Sequence, residues 1–355
     1  MGTGRRGLVA TAVTVVCAVT VLAAPGTAFA SPEPRPSASS TPLADTGLEA
    51  VREKLDTLYH DAAVATDSYN AAQEKAQQQS AAIVDLAEKI VTGQKKLAEL
   101  KKRAGSAAAA QYRNGGLPDE AQLLLSNDPQ EFLDGAGRVL QGQRATKGLI
   151  AEMTRTQQDL EQYAADASTQ WKKLEANRKA KDSARKKIKK QIAAAEKLEN
   201  RLKKVEKERL AKLEQEAALK AQTTWLDSGI LDEISGKASA QGKKAVGFAT
   251  AQIGKPYEWG AEGPDTYDCS GLTSQAWADA GHAIPRTSQE QWKQLKHIDI
   301  KDMRPGDLII YFDDASHVGM YLGDGAIVHA PRPGRTVTIT GAGSMPILGV
   351  VRPDA

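Results

Sequence analysis

The sequence predicts a two-part protein, in which a long antiparallel α-helical coiled-coil hairpin precedes an α+β domain. Three observations support this prediction. The chain of 355 residues is rich in Ala, Lys, Glu and Gln up to about residue 220 and is mixed beyond it, and its length suits about two domains. Apolar residues recur at helical spacing before that point. Short strand-like runs separated by turn signals follow it.

The first 30 residues have the features of a secretory signal peptide. Arg5 and Arg6 form a basic start, residues 8–24 are apolar and almost uncharged, and residues 28–30 form an Ala-Phe-Ala cleavage site. An apolar stretch of about 17 residues is short for a membrane span, which needs about 20, so we favour a cleaved signal over an anchor. We therefore expect a secreted, extracellular protein.

The cysteine count draws attention to one thiol. Cleavage after residue 30 removes Cys17 and leaves Cys269 as the one remaining cysteine. A secreted protein with one cysteine cannot form an internal disulfide, so its thiol is either buried and inert or reactive. The formal net charge of +3 is too small to indicate nucleic acid as a partner.

Residues 45–220 are predicted to form the helical hairpin, after a disordered Pro/Ser-rich tether at residues 31–44. From Leu48 to Ala104, apolar and small residues recur every three or four positions, and the opposite face carries Glu, Lys, Asp and Gln. Sustained spacing of this kind is typical of a supercoiled helix rather than a globular one.

A second helical run is predicted from about Leu149 to Leu219, with a less regular seam. Residues 114–118, Asn-Gly-Gly-Leu-Pro, interrupt the helical pattern between the two runs. We expect a small helical tip near residues 114–140. An intrachain hairpin is favoured over a parallel dimer of each helix, because two seams of similar length flank the break.

Two segments of this region have more than one interpretation. Residues 179–190 form a basic cluster, which is explained by a solvated helix face or, alternatively, by contact with anionic wall polymers or lipid. Residues 221–241 contain several glycines and serines and are predicted to be a linker that acts as a hinge or a plug between the two parts.

Residues 242–355 are predicted to be an α+β domain in which helices pack on an antiparallel sheet. Helices are expected at residues 242–253 and 269–280, and the second of these begins with Cys269. Asp-Gly at positions 324–325, between apolar runs, is a β-hairpin signal. The strand-like runs are residues 308–312, 317–322, 326–330, 337–340 and 348–351.

Cys269, His317 and His329 form a candidate cysteine-protease site. A cysteine at a helix N-terminus lies at the positive end of the helix dipole, which favours a thiolate. His317 begins one predicted strand and His329 ends the next, so a tight hairpin would bring them together as a base and a residue that orients it. The backbone N–H of Cys269 is a natural oxyanion donor.

Spacing alone leaves two alternatives to this site open. One is a buried, inert thiol with two structural histidines. The other is a zinc site, although the chain lacks paired ligands such as C-x-x-C or H-x-x-x-H. We expect neither a metal nor a cofactor.

Six short blocks follow one another in the last third of the chain. They are Lys255–Gly260 (KPYEWG), Asp268–Leu272 (DCSGL), Pro285–Ser288 (PRTS), Arg304–Leu308 (RPGDL), His317–Gly323 (HVGMYLG) and Val328–Pro331 (VHAP). Together they closely resemble the NlpC/P60 family of cell-wall peptidases.

This resemblance implies a papain-like fold. It also implies cleavage beside D-glutamate in peptidoglycan stem peptides, typically at the γ-D-glutamyl–diamino acid bond. Cys269 takes the position of the nucleophile, His317 that of the base, and His329 that of the residue that orients the base.

Four further residues have positions implied by the resemblance or by their surroundings. Tyr257 matches the tyrosine near the oxyanion, and Asp268 and Ser270 match positions that hold the amine end of the substrate. Arg286 follows a turn proline. It supports the site or meets a substrate carboxylate, and a structural ion pair is equally open.

The helical part resembles, in composition only, the coiled-coil regions of secreted actinobacterial wall hydrolases of this family. That resemblance implies an arm that restrains or positions the catalytic domain, with a tip that meets a membrane or division complex. We hypothesise that the hairpin, or the hinge at residues 225–234, covers the Cys269 cleft in the resting protein. The rival interpretations are a non-catalytic scaffold and an acyl transferase that uses the same thiol.

Overall fold

The structure, a computed structural model, describes residues 45–113 and 129–355. The predicted signal peptide at residues 1–30, the tether at 31–44, and residues 114–128 of the predicted tip lie outside the described residues. The described part consists of a long helical arm followed by an α+β domain, so the fold class predicted from the sequence is confirmed.

The arm contains three helices, α1 (Asp45–Arg113), α2 (Pro129–Glu199) and α3 (Lys204–Leu226). In the contacts between α1 and α2, residues with higher numbers in α1 meet residues with lower numbers in α2. The amide of Asn177 donates to Oε1 of Gln79 at 2.8 Å, and that of Gln191 donates to Oδ2 of Asp61 at 3.2 Å. The two helices are therefore antiparallel.

The ends of the second helix differ from the prediction. Residues 129–140, expected in the tip, are the first turns of α2, and α2 ends at Glu199 instead of continuing to Leu219. The backbone N–H of Lys203 donates to the carboxylate of Glu206 at 2.7 Å, which satisfies one of the unpaired donors at the start of α3. Neither Gly nor Pro occurs at this break, so the pattern contained no signal for it.

The break after α2 lets α3 turn back against α1. Apolar residues of all three helices meet there in a small core, which is the main hydrophobic contact at this end of the arm. Its buried members are Leu48, Leu55, Leu58, Tyr59, Ala195, Leu202 and Leu210.

The α+β domain begins with four helices, α4 (Ile230–Glu233), α5 (Ala240–Thr250), α6 (Cys269–Asp279) and α7 (Ser288–Gln294), and includes a 3-10 turn at Ile300–Asp302. Its strands are β1 (Lys296–Ile298), β2 (Leu308–Tyr311), β3 (His317–Gly323), β4 (Ala326–His329), β5 (Thr338–Gly341) and β6 (Ile347–Arg352). They form one antiparallel sheet in the order β1-β6-β2-β3-β4-β5. Strand β1 is the one that the sequence did not predict.

Alternation along the strands gives the sheet two apolar faces. Leu308 and Ile310 belong to the core that contains α5 and α6, whereas Ile309 and Tyr311 belong to a second core on the opposite face. Trp225 of α3 packs into this second core. The segment 221–241 is therefore not a simple linker, because residues 221–226 are the end of α3 and are docked on the sheet.

The helices of the arm are long but polar. Within residues 45–113 and 129–355, none has the continuous apolar character that a membrane span requires.

Candidate active site

The DCSG motif has a local structural explanation at the start of α6. Asp268 is the N-cap residue, and its Oδ1 accepts the backbone N–H of Gly271 at 2.7 Å. Gly271 has no room for a side chain, because a Cβ would overlap the carbonyl oxygen of Ala261. Cys269 is thereby fixed as the first residue of the helix, where its thiol is 5% exposed.

Arg286 holds the carboxylate of Asp268 in place. Its two terminal nitrogens donate to Oδ1 and Oδ2 of Asp268 at 2.9 and 2.7 Å, and it also donates to the hydroxyl of Ser270 at 3.0 Å. Its Nε forms an ion pair with Glu262 at 2.8 Å. Arg286 thus supports the site in this structure, and Asp268 and Ser270 are both fully buried beside Cys269.

His317 and His329 lie side by side on the sheet. Met320 pairs with Val328 in the β3–β4 hairpin, so the two histidines are diagonal neighbours on one face. Nε2 of His317 lies 2.9 Å from Nδ1 of His329. This contact leaves Nδ1 of His317 as the ring nitrogen available to a substrate or a nucleophile. The tight turn that brings the strands together has positive φ angles at Asp324 and Gly325, as Asp-Gly predicts.

The sequence predicts a thiolate at Cys269, because the residue begins a helix, but the protonation state in the structure differs. Burial raises the pKa of the Cys269 thiol well above its ordinary value, and the carboxylate of Asp268 raises it further. Burial also lowers the pKa of His317 to about 4. The pKa of His329 is lowered by burial and by His317. The helix terminus does not overcome the loss of water, so the site holds a neutral thiol and neutral imidazoles at pH 7.

Tyr257 enters the site from the loop before α6. Its backbone N–H donates to the carbonyl of Arg335 at 2.9 Å, which ties this loop to the segment between β4 and β5. Burial raises the pKa of the Tyr257 hydroxyl well above its ordinary value, with Cys269 as the next contributor, and the hydroxyl is hydrogen-bonded to Thr66 of α1. Tyr257 is therefore a neutral hydroxyl donor close to the thiol.

Helix α1 lies over this cleft. We call residues 59–70 of α1 the covering segment. Three of its polar side chains are buried against the catalytic domain, namely Thr66, Asp67 and Asn70. The amide of Asn70 donates to Oδ2 of Asp268 at 3.0 Å, and Oδ2 of Asp67 lies 2.6 Å from the hydroxyl of Ser288. Of the two segments hypothesised to cover the cleft, α1 does so, whereas Trp225 packs on the other face of the sheet.

Contacts at the rim of the cleft extend the interface. The rings of Tyr69 and Trp259 meet edge to face at 5.2 Å between centroids. Nε2 of His60 lies 3.1 Å from Oδ2 of Asp314, in the loop that precedes His317. The guanidinium of Arg332 lies 4.1 Å from the centroid of the Tyr59 ring. Polar, aromatic and cation–π contacts thus surround the buried polar centre.

The hydrogen-bond chain at Asp67 requires a protonated carboxyl group. The Ser288 hydroxyl lies 2.6 Å from Asp67 Oδ2 and 2.7 Å from the carbonyl oxygen of Ala315. One hydroxyl proton cannot serve both acceptors, whereas a protonated Asp67 can donate to Ser288 while Ser288 donates to Ala315. Burial, together with the nearby carboxylates of Asp268 and Asp314, raises the pKa of Asp67 from 3.8 to about 8.

Closure of the cleft should consequently depend on pH. The pKa of Asp67 is higher when α1 covers the cleft than when the cleft is open, so the closed form retains a proton that the open form loses. The equilibrium constant for closure is therefore largest below about pH 4 and falls by at most about tenfold per pH unit up to about pH 8. We expect the rate of Cys269 alkylation in the wild type, divided by that in Asp67→Asn, to rise with pH over this window. The pH dependence that comes from ionisation of the thiol is common to both proteins and cancels in this ratio.

Peptide mapping by mass spectrometry would measure that ratio, since it reports Cys269 specifically. A ratio that stays constant from pH 5 to pH 8 would show that Asp67 does not gain its proton from being covered.

Sequence reasoning missed the residues that α1 contributes and also Ser288. Thr66, Asp67 and Asn70 form a polar stripe beside the apolar seam, and such a stripe is normally a solvated helix face. Ser288 follows the PRTS arginine, and no sequence signal distinguished it from an ordinary helix-cap residue. Within the described residues, no group of three His, Cys, Asp or Glu side chains is arranged to hold a metal ion.

The segment that contains Cys269, His317 and His329 is similar to known proteins. Residues 254–345 match the NlpC/P60 family. The chain is 36% identical over 140 residues to a probable endopeptidase of Corynebacterium glutamicum, covering 39% of this chain and 66% of that protein. It is 40% identical over 94 residues to a probable endopeptidase of Mycobacterium tuberculosis, covering 26% of this chain and 24% of that protein.

A solved structure of the NlpC/p60 domain of the peptidoglycan hydrolase SagA is 30% identical, with coverage of 31% of this chain and 97% of that chain and a TM-score of 0.30. The chain spans less than two thirds of the length of the corynebacterial and mycobacterial relatives. The segment that matches the NlpC/P60 family, residues 254–345, contains Cys269, His317 and His329.

Proposed function

We propose that this protein is a cysteine endopeptidase that cleaves peptidoglycan stem peptides at the γ-D-glutamyl–diamino acid bond. The observation that carries the proposal is the position of Cys269 at the start of α6. Its thiol is hydrogen-bonded to the backbone of Val318, the residue after His317, and Nε2 of His317 lies 2.9 Å from Nδ1 of His329, all within the segment that matches the NlpC/P60 family. A scaffold that only binds the wall would not need a buried thiol next to an oriented imidazole pair.

In the proposed mechanism His317 first takes the proton of the Cys269 thiol. The sulfur then attacks the carbonyl carbon of the γ-D-glutamyl bond, and the carbonyl oxygen becomes an oxyanion. Protonated His317 gives its proton to the amine of the diamino acid, which leaves as the C–N bond breaks. His317 next takes a proton from water, whose oxygen attacks the thioester and releases the D-glutamyl carboxylate and the free thiol.

Two contacts of the covering segment support the proposed orientation of the substrate. The Asn70 amide donates to Asp268, the carboxylate that family resemblance assigns to the substrate's amine end. The hydroxyl of Tyr257, bonded to Thr66 in the closed protein, would donate to the oxyanion together with the Cys269 backbone N–H. An amine-like donor of α1 thus occupies the place proposed for the substrate's amine.

The proposed substrate can enter only when α1 has moved, because Cys269, His317 and His329 are each 5% exposed. The assay therefore includes Asp67→Arg, which places a large cation in the closely packed contact under α1. We expect this protein to release a fragment that begins with the free amine of the diamino acid, identified by mass spectrometry of a synthetic stem peptide. A product in which an added amine replaces water would indicate acyl transfer instead.

His329 is expected to be a positioning residue for His317. Because it supplies the hydrogen bond to Nε2 of His317, His329→Ala should lower kcat by about 10- to 100-fold with little change in KM. His329→Asn retains a hydrogen-bonding side chain and should recover part of this loss. His297→Ala is the control, since that histidine is exposed and stacks on Trp292.

A purely structural role of His329 would lower stability in both variants and would leave the pH profile of kcat unchanged. The positioning role predicts that the apparent pKa of the general base shifts in the Ala variant.

We further propose secretion to the cell wall, on the basis of the signal features in residues 1–30. A membrane or division partner at the tip is also a proposal, and residues 114–128 of that tip lie outside the described residues.

A further inference from the structure

The outer side of α2 contains an unusual concentration of positive charge. Residues 178–190 contain eight Lys or Arg residues and one Asp, a net charge of +7, whereas the whole chain has a net charge of +3. We call this stretch the basic face. Its cations are Arg178, Lys179, Lys181, Arg185, Lys186, Lys187, Lys189 and Lys190.

The charges of the basic face are not neutralised by the protein. Seven of the eight cations are exposed, and Lys181 is half-buried above the ring of Tyr69. In the part of the chain that the structure describes, none of the eight is ion-paired with an acidic side chain, although Lys89, Lys96, Lys204 and Lys212 elsewhere in the arm all are. A cluster of like charges repels itself, so it gains most from an external anion.

Helical geometry arranges six of the eight cations in two rows, each about 17 Å long. One row is continued by Trp171, which is 52% exposed and has the guanidinium of Arg178 at 6.0 Å from its ring centroid. The members of that row are Trp171, Arg178, Arg185 and Lys189, and those of the other row are Lys179, Lys186 and Lys190. An extended anionic chain can contact one row after another.

We propose that the basic face binds a phosphate-bearing, anionic polymer of the cell wall. A lipid surface fits less well, because an interfacial helix needs a free apolar face. The large apolar side chain of this stretch, Ile188, is fully buried against α1, as is Ala184 at 5% exposure. Repeated phosphates, in contrast, need only a row of exposed cations and tolerate a polar helix.

The basic face lies directly behind the covering segment. Lys181 contacts Tyr69 and Gln191 contacts Asp61, so α1 separates the basic face from the cleft. A polymer bound there would anchor the protein to the wall without obstructing the entry of a stem peptide. This spatial relation and the choice of a wall polymer rest on the proposed function and location, whereas binding of the polymer by the purified protein does not.

Binding of poly(glycerol phosphate) to the full chain tests the proposal, with phosphatidylglycerol vesicles as the second probe. We expect Lys186→Gln/Lys187→Gln/Lys190→Gln to weaken polymer binding by about 10-fold or more, because each lost cation removes a phosphate contact. Gln preserves helix propensity. The matched control, Lys95→Gln/Lys101→Gln/Lys102→Gln on exposed positions of α1, removes the same charge and should change affinity less than about twofold.

Equal weakening by both triple variants would overturn the proposal, because net charge rather than the basic face would then govern binding. Binding of vesicles but not of the polymer would also overturn it and would assign the face to lipid. If neither probe bound, the proposal would be wrong and the basic face would be an ordinary solvated helix face. Because the assay does not involve catalysis, a failure of the proposed peptidase activity would be seen separately.

Discussion

Replacing Cys269 with Ala is expected to lower stem-peptide cleavage by on the order of 10⁴-fold or more, measured in the Asp67→Arg protein so that the cleft is open. The reason is that Cys269 supplies the one thiol among the described residues, and in the proposed mechanism its sulfur forms the covalent intermediate. Substrate binding should persist, because the contacts of Asp268 and Arg286 do not involve the sulfur.

Ser274→Ala is the matched control for that variant. Ser274 lies on the same helix, is 7% exposed, and donates to the carbonyl of Gly271 at 3.2 Å, so its loss should change the rate less than about threefold. If Cys269→Ala cleaved the peptide at a rate comparable to the control, the nucleophile would have to be a different group.

The Asp67→Arg substitution is expected to raise the rate of Cys269 alkylation and of cleavage by about 10²-fold or more. Asp67 is 1% exposed and lies in the field of Arg286. A new cation there would be buried without a free partner, because Arg286, Gly260 and Gly271 already occupy the carboxylate of Asp268, and His60 occupies that of Asp314. An uncompensated buried charge costs about 3–5 kcal/mol, and this cost falls on the closed form alone.

Ser68→Arg provides the control for this prediction. Ser68 is the next residue of α1 but is exposed, so an arginine there adds charge without disturbing the cleft, and alkylation should change less than about twofold. If a folded Asp67→Arg protein were alkylated no faster than Ser68→Arg, α1 would not close the cleft in solution.

Much of the catalytic domain could be predicted from the sequence because its signals are local. The continuous apolar runs that became β2 and β3 specify strands that are buried on both faces. Asp324-Gly325 specifies the tight turn between β3 and β4. The position of Cys269 also follows from local chemistry, since Asp268 caps the helix that Cys269 begins. The short edge strand β1 was missed because Lys296 and His297 are polar and exposed.

The relation between the arm and the domain could not be predicted, because it depends on contacts between residues far apart in sequence. The contact between Asn70 and Asp268 joins residues separated by 198 positions. A polar stripe such as Thr66, Asp67 and Asn70 gives the same pattern whether it faces water or a polar cleft. The neutral state of Cys269 was missed for the same reason, since the helix dipole is visible in the sequence but burial under α1 is not.

The most direct test of this account is the intact and peptide mass of the protein after acid quenching of a reaction with the stem peptide. The account predicts that Asp67→Arg gains the mass of the acyl half of the substrate on the peptide containing Cys269. The wild type should show far less of this thioester, and the protein that also has Cys269→Ala should show none. Cleavage without any adduct on Cys269, or equal adduct in the wild type and Asp67→Arg, would contradict the account.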